Sequence, residues 1–278
     1  MKFGVFMFPT DYAIQPAALG REVEARGFES LFFPEHTHIP TSRRSIPPTG
    51  GELGREYSHA HDPFVALGAV SAVTERLLLG TGICLVIQRD PIVLAKEVAS
   101  LDFMSGGRVL FGVGGGWNKE EMEDHGTNPA LRWHVLRERV EAMKAIWTQD
   151  EAEYRGEFVS FPPMWQWPKP VQKPHPPVIV GGDGPTTLAR VVRYGDAWMP
   201  VARRADFSGR ITELQRLADA AGRGPIPVYV CACPAKAEVV AAYVEQGVDR
   251  VVFTLPAVPA DEALPLLDRM VAVMRHFA

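Results

Sequence analysis

The chain alternates eight times between a short apolar run and a segment whose apolar residues recur at helical spacing. The runs are nearly continuous in hydrophobic residues, which indicates strands that are covered on both faces. Strands that alternate with helices pair in parallel through right-handed crossovers. The predicted strands are 2–8, 28–33, 77–85, 108–114, 177–182, 196–201, 226–232 and 250–255.

The segments between these runs carry helix start and stop signals. Asp62 and Asp90 each precede a proline, which combines an N-cap with a residue suited to the first helical turn. Eight βα units in 278 residues are the size of a closed (β/α)8 TIM barrel, and a doubly wound open sheet is the alternative. No low-complexity linker interrupts the chain, so we expect one domain over 1–278. The predicted helices are 16–27, 62–74, 90–104, 131–147, 184–195, 206–222, 234–247 and 261–277.

Two connections are longer than ordinary loops. Residues 34–61 follow the second strand, so they emerge at the carboxyl end of the barrel, where active sites lie. Long loops of this kind are usually functional, and we expect 36–60 to form a lid. Residues 149–176 separate the fourth helix from the fifth strand; 151–161 predict a small hairpin, and the Pro- and Trp-rich remainder predicts an extended coat. We interpret this insertion as structural or as a subunit contact.

Composition narrows the possible partners and the compartment. The net charge is −4 and no cluster of Lys or Arg forms a stripe, which argues against nucleic acid. The first apolar run ends at Pro9 and is too short for a signal peptide or a membrane span. Cys84, Cys231 and Cys233 fall in apolar runs and are interpreted as buried free thiols in a reducing compartment. We therefore expect a cytoplasmic protein with a small-molecule substrate and no membrane contact.

Glycines interrupt the third predicted strand, LLLGTGICLV, at positions 80 and 82. Glycine weakens a strand, because it has more backbone entropy to lose and no side chain to pack. Its presence here indicates that another group approaches the backbone closely. The fourth strand ends in GVGGGW, including Gly114, and the fifth in GGDG. Three glycine-rich strand ends predict a slot with low walls that suits a flat aromatic ring.

The GGDG sequence at 181–184 follows a strand and opens a helix. Its free backbone N–H groups and the positive helix end predict a phosphate cradle, while a tight turn that needs positive φ is the alternative. GVGGGW at 112–117 is not a dinucleotide fingerprint, because the last glycine of G-x-G-x-x-G would fall on Trp117.

Glu35 and His36 form a Glu-His pair at a predicted strand end. A histidine there is a candidate for proton transfer, and a hydrogen-bonded loop histidine is the alternative. His36-x-His38 and His59-x-His61 raise the possibility of a metal site. Metal-dependent barrel hydrolases need further ligands on later strands, and the fifth, sixth and eighth strands end in GGDG, MPVA and TLPA. We therefore predict no metal.

Several stretches together resemble the bacterial luciferase-like flavin oxidoreductases, and most closely their branch that uses the deazaflavin coenzyme F-420. They run in order through about the first 200 residues, whereas the last 75 match only as a generic βα ending. The matching stretches are GFESLFFPEHTHIP (27–40), LLLGTGICLVIQRDPIVLAKEVASLDFMSGGR (77–108), VLFGVGGGWNKEEMEDHG (109–126), PKPVQKPHPPVIVGG (168–182) and YGDAWMP (194–200).

The resemblance implies a role for the third strand. In similar proteins this strand carries a bulge with a non-proline cis peptide against which the cofactor ring rests, and the matching bond is Gly82–Ile83. The resemblance also implies that His36 is the acid/base and Glu35 a cofactor hydrogen-bond partner. From their place at the strand ends, Arg203 and Arg204 are predicted to hold a phosphate or an anionic tail. The predicted cofactor-binding residues are Glu35, Thr81, Gly82, Ile83, Gly114, Gly181, Gly182, Asp183, Gly184 and Arg203.

One departure from the family pattern concerns the end of the fourth strand. Some deazaflavin dehydrogenases have a catalytic glutamate there, but this chain has Trp117, and its nearest acids are Glu120 and Glu121. The sugar-phosphate dehydrogenase chemistry of those relatives is therefore in doubt. We predict that Trp117 and Phe8 are walls of a substrate pocket.

These observations predict an F-420-dependent oxidoreductase that transfers a hydride between the reduced coenzyme and a small organic substrate. The first alternative is an FMN-dependent monooxygenase that uses dioxygen and a separate flavin reductase. The second alternative is a flavin-binding protein without catalytic activity, because fold alone does not prove catalysis. The resemblance also implies a homodimer.

Overall fold

Eight parallel strands form a barrel with helices on its outside. The computed structural model describes residues 1–47 and 50–277; residues 48 and 49 of the predicted lid lie outside the described residues. In chain order the elements are β1 (Lys2–Phe6), α1 (Pro16–Ala25), β2 (Ser30–Phe33), α2 (Glu56–His59), α3 (Pro63–Ser71), β3 (Leu78–Thr81), a 3₁₀ turn (Val86–Gln88), α4 (Pro91–Ser105), β4 (Val109–Val113), α5 (Lys119–Asp124), α6 (Arg132–Thr148), β5 (Ala152–Arg155), β6 (Ser160–Met164), β7 (Val178–Gly181), α7 (Thr187–Tyr194), β8 (Ala197–Met199), α8 (Ser208–Ala220), β9 (Tyr229–Cys233), α9 (Ala237–Glu245), β10 (Arg250–Thr254) and α10 (Ala260–Met274).

The strands follow the order β8-β7-β4-β3-β2-β1-β10-β9, with parallel pairing between neighbours. Parallel bridges Trp198–Val228 and Val201–Cys231 join the two ends of this order. The predicted TIM barrel is therefore confirmed, and the open sheet is excluded. Each of the eight predicted strands and eight predicted helices is present, with ends that differ by a few residues.

The barrel interior is a small cluster of side chains that come from different strands. Gly80 faces this interior, and a Cβ atom there would lie 2.2 Å from the Phe32 ring. Gly80 therefore makes room for a core side chain, which is a packing role that the sequence did not reveal. The buried members of the cluster are Phe32, Leu110, Ile179, Ala197, Met199, Cys231 and Val252. A larger cluster lies between the strands and the helices.

The two long connections take different paths. The insertion after α6 forms the predicted hairpin, in which β5 and β6 pair antiparallel, and then runs along α4. Gln166 Nε2 donates to the Ile92 carbonyl at 3.0 Å, and Gln172 Nε2 donates to Asp102 Oδ1 at 2.7 Å. The insertion is thus a coat over the barrel, as predicted. The connection after β2 includes the short helix α2, which the sequence did not predict.

Candidate active site

A buried histidine–carboxylate pair lies just beyond the carboxyl end of β2. His36 Nδ1 lies 2.7 Å from Glu121 Oε2, and the exposed fractions of the two side chains are 6% and 1%. The other carboxylate oxygen, Glu121 Oε1, accepts the Thr37 backbone N–H at 3.0 Å. Glu121 therefore holds both the imidazole of His36 and the backbone that follows it. The sequence indicated Glu121 only as one of the two acids nearest to Trp117.

The start of α5 places this carboxylate. Asn118 is the N-cap of α5, and its side chain accepts the Glu121 backbone N–H at 3.3 Å. Because Asn118 follows directly on Trp117, the turn after β4 brings both the indole and the carboxylate to His36. Trp117 Nε1–H donates to His36 Nε2 at 3.3 Å. With Nδ1 facing a carboxylate and Nε2 accepting a hydrogen bond, the pattern assigns the ring proton to Nδ1.

Aromatic rings lie beside the imidazole of this pair. The centroid of the Tyr57 ring, on α2, lies 4.7 Å from that of Phe8, 5.2 Å from that of His36 and 6.1 Å from that of Trp117. Burial raises the pKa of Tyr57; Glu56 raises it further, and the positive charge of Arg203 lowers it. Phe8 and Trp117, the predicted pocket walls, are thus brought together with His36. Tyr57 was missed because its helix is four residues long.

The end of β3 forms a platform beside this aromatic group. The Gly82–Ile83 peptide bond is cis, which confirms the prediction for this position. Ile83 lies between the neighbouring strand ends, because a Cβ atom on either Gly114 or Gly181 would come within 2.8 Å of its side chain. Thr81 Oγ1 donates to the Gly112 carbonyl at 2.7 Å. The glycines therefore make room for Ile83 rather than leaving a bare slot, and the Gly82–Ile83 unit stays partly exposed.

The GGDG turn follows β7. Gly182 has φ of +101°, as the tight-turn alternative requires, and Gly184 donates its N–H to Thr187 Oγ1 at 3.0 Å. Asp183 Oδ2 accepts from Arg204 Nε at 2.5 Å, and Asp183 Oδ1 lies 3.1 Å from Arg210 Nε. Arg204 therefore already has an anionic partner within the protein. The side chain of Arg203 is exposed.

Glu35 lies beneath the platform and points into the protein. Its Oε2 accepts the Leu85 backbone N–H at 2.6 Å, and its Oε1 accepts from Arg89 Nε at 2.6 Å. The side chain of Arg89 also binds Asp62, which caps α3, and Glu97 on α4. Glu35 thus fixes the chain after β3, and its predicted contact with a cofactor remains a prediction.

Comparisons with known proteins identify the family of this chain. The family model described as "Luciferase-like monooxygenase" matches residues 1–258. The Mycobacterium tuberculosis protein Rv0953c is 44% identical over 280 residues, which cover 98% of each chain. The chain belongs to the luciferase-like monooxygenase family. A second M. tuberculosis relative, named F420-dependent hydroxymycolic acid dehydrogenase, is 28% identical over 60% of this chain and 47% of its own length. The monooxygenase RslO1 from Streptomyces bottropensis has a similar fold, with a TM-score of 0.79, 22% identity and full coverage of both chains.

The connection after β2, which the sequence predicts to form a lid, is docked at two places in this luciferase-like chain. One segment binds α5, where Ser45 donates its N–H to Glu120 Oε1 at 2.9 Å and His38 Nε2 lies 2.9 Å from Asp124 Oδ2. The other segment carries α2 and binds the loop after β1, where His59 Nδ1 lies 3.0 Å from Asp11 Oδ1. His38 and His59 thus pair with separate carboxylates. Across residues 1–47 and 50–277, no group of three or more His, Cys, Asp or Glu side chains is arranged to hold a metal ion.

Cys84, Cys231 and Cys233 are buried free thiols, as predicted, and burial raises the pKa of each. Among the residues that the structure describes, no helix is long and apolar enough to span a membrane.

Proposed function

We propose that this protein is an F-420-dependent oxidoreductase that transfers a hydride between the reduced coenzyme and a small organic substrate. The observation that carries the proposal is the His36–Glu121 pair at 2.7 Å, which leaves His36 Nε2 directed toward Trp117 and the aromatic wall. The name of the F-420-dependent mycobacterial relative supports the choice of coenzyme.

The residues at the strand ends fit a planar ring that carries a phosphate. Thr81, Gly82, Ile83 and Gly114 would support the ring, and the turn of Gly181, Gly182, Asp183 and Gly184 would lie against the phosphate. Arg203 would add positive charge beside it. When bound, the reduced deazaflavin supplies the hydride, and the protein contributes binding, orientation and a dry site.

His36 would manage the proton that accompanies the hydride. Glu121 keeps the ring proton on Nδ1 and stabilises the imidazolium that forms when Nε2 takes up a second proton. Nε2 is then able to donate that proton to a substrate oxygen or carbon and to accept one in the reverse direction. Phe8, Tyr57 and Trp117 would exclude water from this step, which strengthens the electrostatic interactions of the pair.

An FMN-dependent monooxygenase is the second candidate, and it is favoured by the name of a Pseudomonas putida relative, FMNH(2)-dependent dimethylsulfone monooxygenase, which is 34% identical over 49% of this chain and 38% of its own length. The same platform, histidine and phosphate turn would serve reduced FMN, supplied by a separate flavin reductase. A flavin-binding protein without catalytic activity is the third candidate. It predicts no turnover in either the natural protein or His36→Ala, whereas both enzymatic candidates predict a turnover that His36→Ala reduces.

Titration of the apo protein separately with F-420 and with FMN tests the proposal, with quenching of each cofactor's own fluorescence as the signal. Tight binding of F-420 alone supports hydride transfer, and the substrate search then covers carbonyl and unsaturated compounds. Tight binding of FMN alone supports the FMN-dependent monooxygenase instead of the F-420-dependent oxidoreductase. Binding of neither cofactor contradicts both enzymatic candidates.

We also propose that the protein is a homodimer that uses the face formed by α4 and the insertion. Trp165 and Trp167 on the insertion have exposed fractions of 79% and 57%, and Phe103 and Met104 on α4 have 58% and 70%. The insertion packs along α4, and exposed large apolar side chains on adjoining segments are typical of protein interfaces. Light scattering after size-exclusion chromatography tests this proposal, and Trp165→Ser with Met104→Ser should shift the dimer toward monomer.

A further inference from the structure

One side chain of the connection after β2 fills the space in front of His36. The ring of Tyr57, on α2, packs against three rings at once, with centroid distances of 4.7 Å to Phe8, 5.2 Å to His36 and 6.1 Å to Trp117. It is tilted by 48° to Phe8 and by 52° to His36, and it meets the indole of Trp117 edge-on at 86°. These are direct ring contacts, so a substrate ring does not fit among the three walls together with Tyr57.

The reactive nitrogen of His36 is covered in this arrangement. Trp117 Nε1–H donates to His36 Nε2 at 3.3 Å, and the His36 side chain is only 6% exposed. A substrate that exchanges a proton with Nε2 has to come within about 3 Å of it. The approach to His36 therefore requires that one of the neighbouring rings moves aside.

Tyr57 is the wall that is free to move. Trp117 lies in the turn between β4 and α5, whereas Tyr57 lies on a helix of four residues, none of which is buried. The helix α2 is held to the loop after β1 on the carboxyl side of Tyr57, where the His61 N–H donates to the Pro9 carbonyl at 2.7 Å. A rotation of the Tyr57 side chain would empty the space and leave this anchor in place.

The three remaining walls determine what takes the place of the Tyr57 ring. Phe8, His36 and Trp117 are planar, and aromatic rings pack best against another ring in tilted or edge-on geometry. Burial raises the pKa of Tyr57, and the charges of Glu56 and Arg203 act on it in opposite directions. A space with aromatic walls and opposed charges at its edge suits an uncharged planar group.

We infer that the Tyr57 ring holds the place of the substrate, and that the substrate is an uncharged compound whose carbonyl or double bond is conjugated with a planar ring. The planar group packs against Phe8 and Trp117, and the reacting end lies at His36 Nε2. Tyr57 turns outward and covers the bound group, which makes it a specificity-determining residue. This inference rests on the proposed function and deepens it by naming the substrate class.

The test uses two ketones of similar size, planar acetophenone and puckered cyclohexyl methyl ketone. NMR titration that follows the His36 imidazole nitrogens, assigned with His36→Gln, measures both dissociation constants without cofactor and with the oxidised form of the cofactor that binds. The natural protein should bind acetophenone about 10-fold more tightly than the saturated ketone, the size of one or two aromatic contacts. The His36 Nε2 signal should shift on binding.

Substitution of Tyr57 tests whether its ring competes with the substrate. A protein whose site is only partly open binds its ligand more weakly by the open fraction, so Tyr57→Ala should bind acetophenone about 10-fold more tightly than the natural protein. Tyr57→Phe, which keeps the ring, is the matched control and should bind as the natural protein does. Tyr57→Leu keeps an apolar side chain on α2 and repeats the comparison if the alanine variant unfolds.

The outcomes separate this inference from the proposed function. If neither F-420 nor FMN binds while loss of the Tyr57 ring still tightens acetophenone, the proposed function fails and the competition by Tyr57 stands. If F-420 binds and supports hydride transfer, but the ring-free variants bind acetophenone no more tightly than the natural protein, the inference fails alone. Equal affinities for the two ketones, or a Tyr57→Ala variant that tightens only the cofactor, also overturn the inference.

Discussion

His36 Nδ1 and Glu121 Oε2 are 2.7 Å apart, although 85 residues separate them in the chain. His36 follows β2 and Glu121 lies on α5, which follows β4; β3 separates these two strands in the barrel, and both side chains are buried. A carboxylate in this position fixes the tautomer and the orientation of an imidazole. Glu121 is thus a positioning residue that acts through His36.

Glu121→Gln should lower kcat by about 100-fold, at the lower end of the range for a positioned proton-transfer group, and should change KM little. The amide removes the negative charge that stabilises the imidazolium but leaves an acceptor for the Thr37 N–H. Nitrogen NMR of the imidazole should show a smaller fraction of the Nδ1–H tautomer. Glu123→Gln, on the same helix and exposed, is the control. An unchanged imidazole spectrum in Glu121→Gln would contradict the positioning role.

Glu35→Gln should lower the free energy of unfolding by about 3 kcal/mol, because it leaves Arg89 with a weakened set of partners in a buried site. Urea denaturation measures this loss. The same variant distinguishes the structural role of Glu35 from its predicted contact with the cofactor. A purely structural role predicts a nearly unchanged dissociation constant for the cofactor. Glu97→Gln removes a more exposed partner of Arg89 and should cost about 1 kcal/mol or less. A large loss of cofactor affinity with normal stability would instead support the contact implied by the family resemblance.

The sequence predicted the barrel well because buried strands and capped helices leave local signals. It did not predict α5, which has six residues and is too short for a periodic pattern. The partners of His36 and Glu35 were not predictable either, because Glu121 and Arg89 meet them only through the closure of the barrel. Gly80 was expected to admit a ligand, but it accommodates Phe32. A glycine in a strand indicates that another group lies close to the backbone, but it does not identify that group.

Gly114→Ala should destabilise the protein by about 1–3 kcal/mol, the usual cost of forcing an added methyl group into a packed site. The new methyl would lie 2.8 Å from Ile83 Cδ1, so the Ile83 side chain must move. Because Ile83 is part of the proposed platform, the affinity for the cofactor should fall as well. Gly68→Ala on α3 is the matched control: its Cβ atom meets open space, and it should stabilise the helix by up to about 1 kcal/mol. Equal effects of the two substitutions on unfolding and binding would argue against the platform.

Glu120, on α5, binds the first segment of the predicted lid through Ser42 and Ser45. Burial alone would raise the pKa of Glu120, but hydrogen bonds from the Ser45 side chain and from backbone N–H groups outweigh it and lower the pKa to about 2 from the ordinary 4.5. A carboxyl group with a lowered pKa in the folded state stabilises that state above its ordinary pKa. Its contribution is therefore present above pH 4.5 and is lost as the pH falls from 4.5 toward 2.

Glu120→Gln should accordingly lower stability at neutral pH and flatten its dependence on pH between 4.5 and 2. Urea denaturation at several pH values measures the dependence, with Glu151→Gln, an exposed carboxylate on the insertion side, as the control. Because the variant loosens the segment that contains Arg43 and Arg44, trypsin at neutral pH should cut there faster than in the natural protein. Bound cofactor should slow this cleavage if the segment closes over the site. Identical trypsin cleavage in the natural protein and the variant would show that Glu120 does not hold the lid.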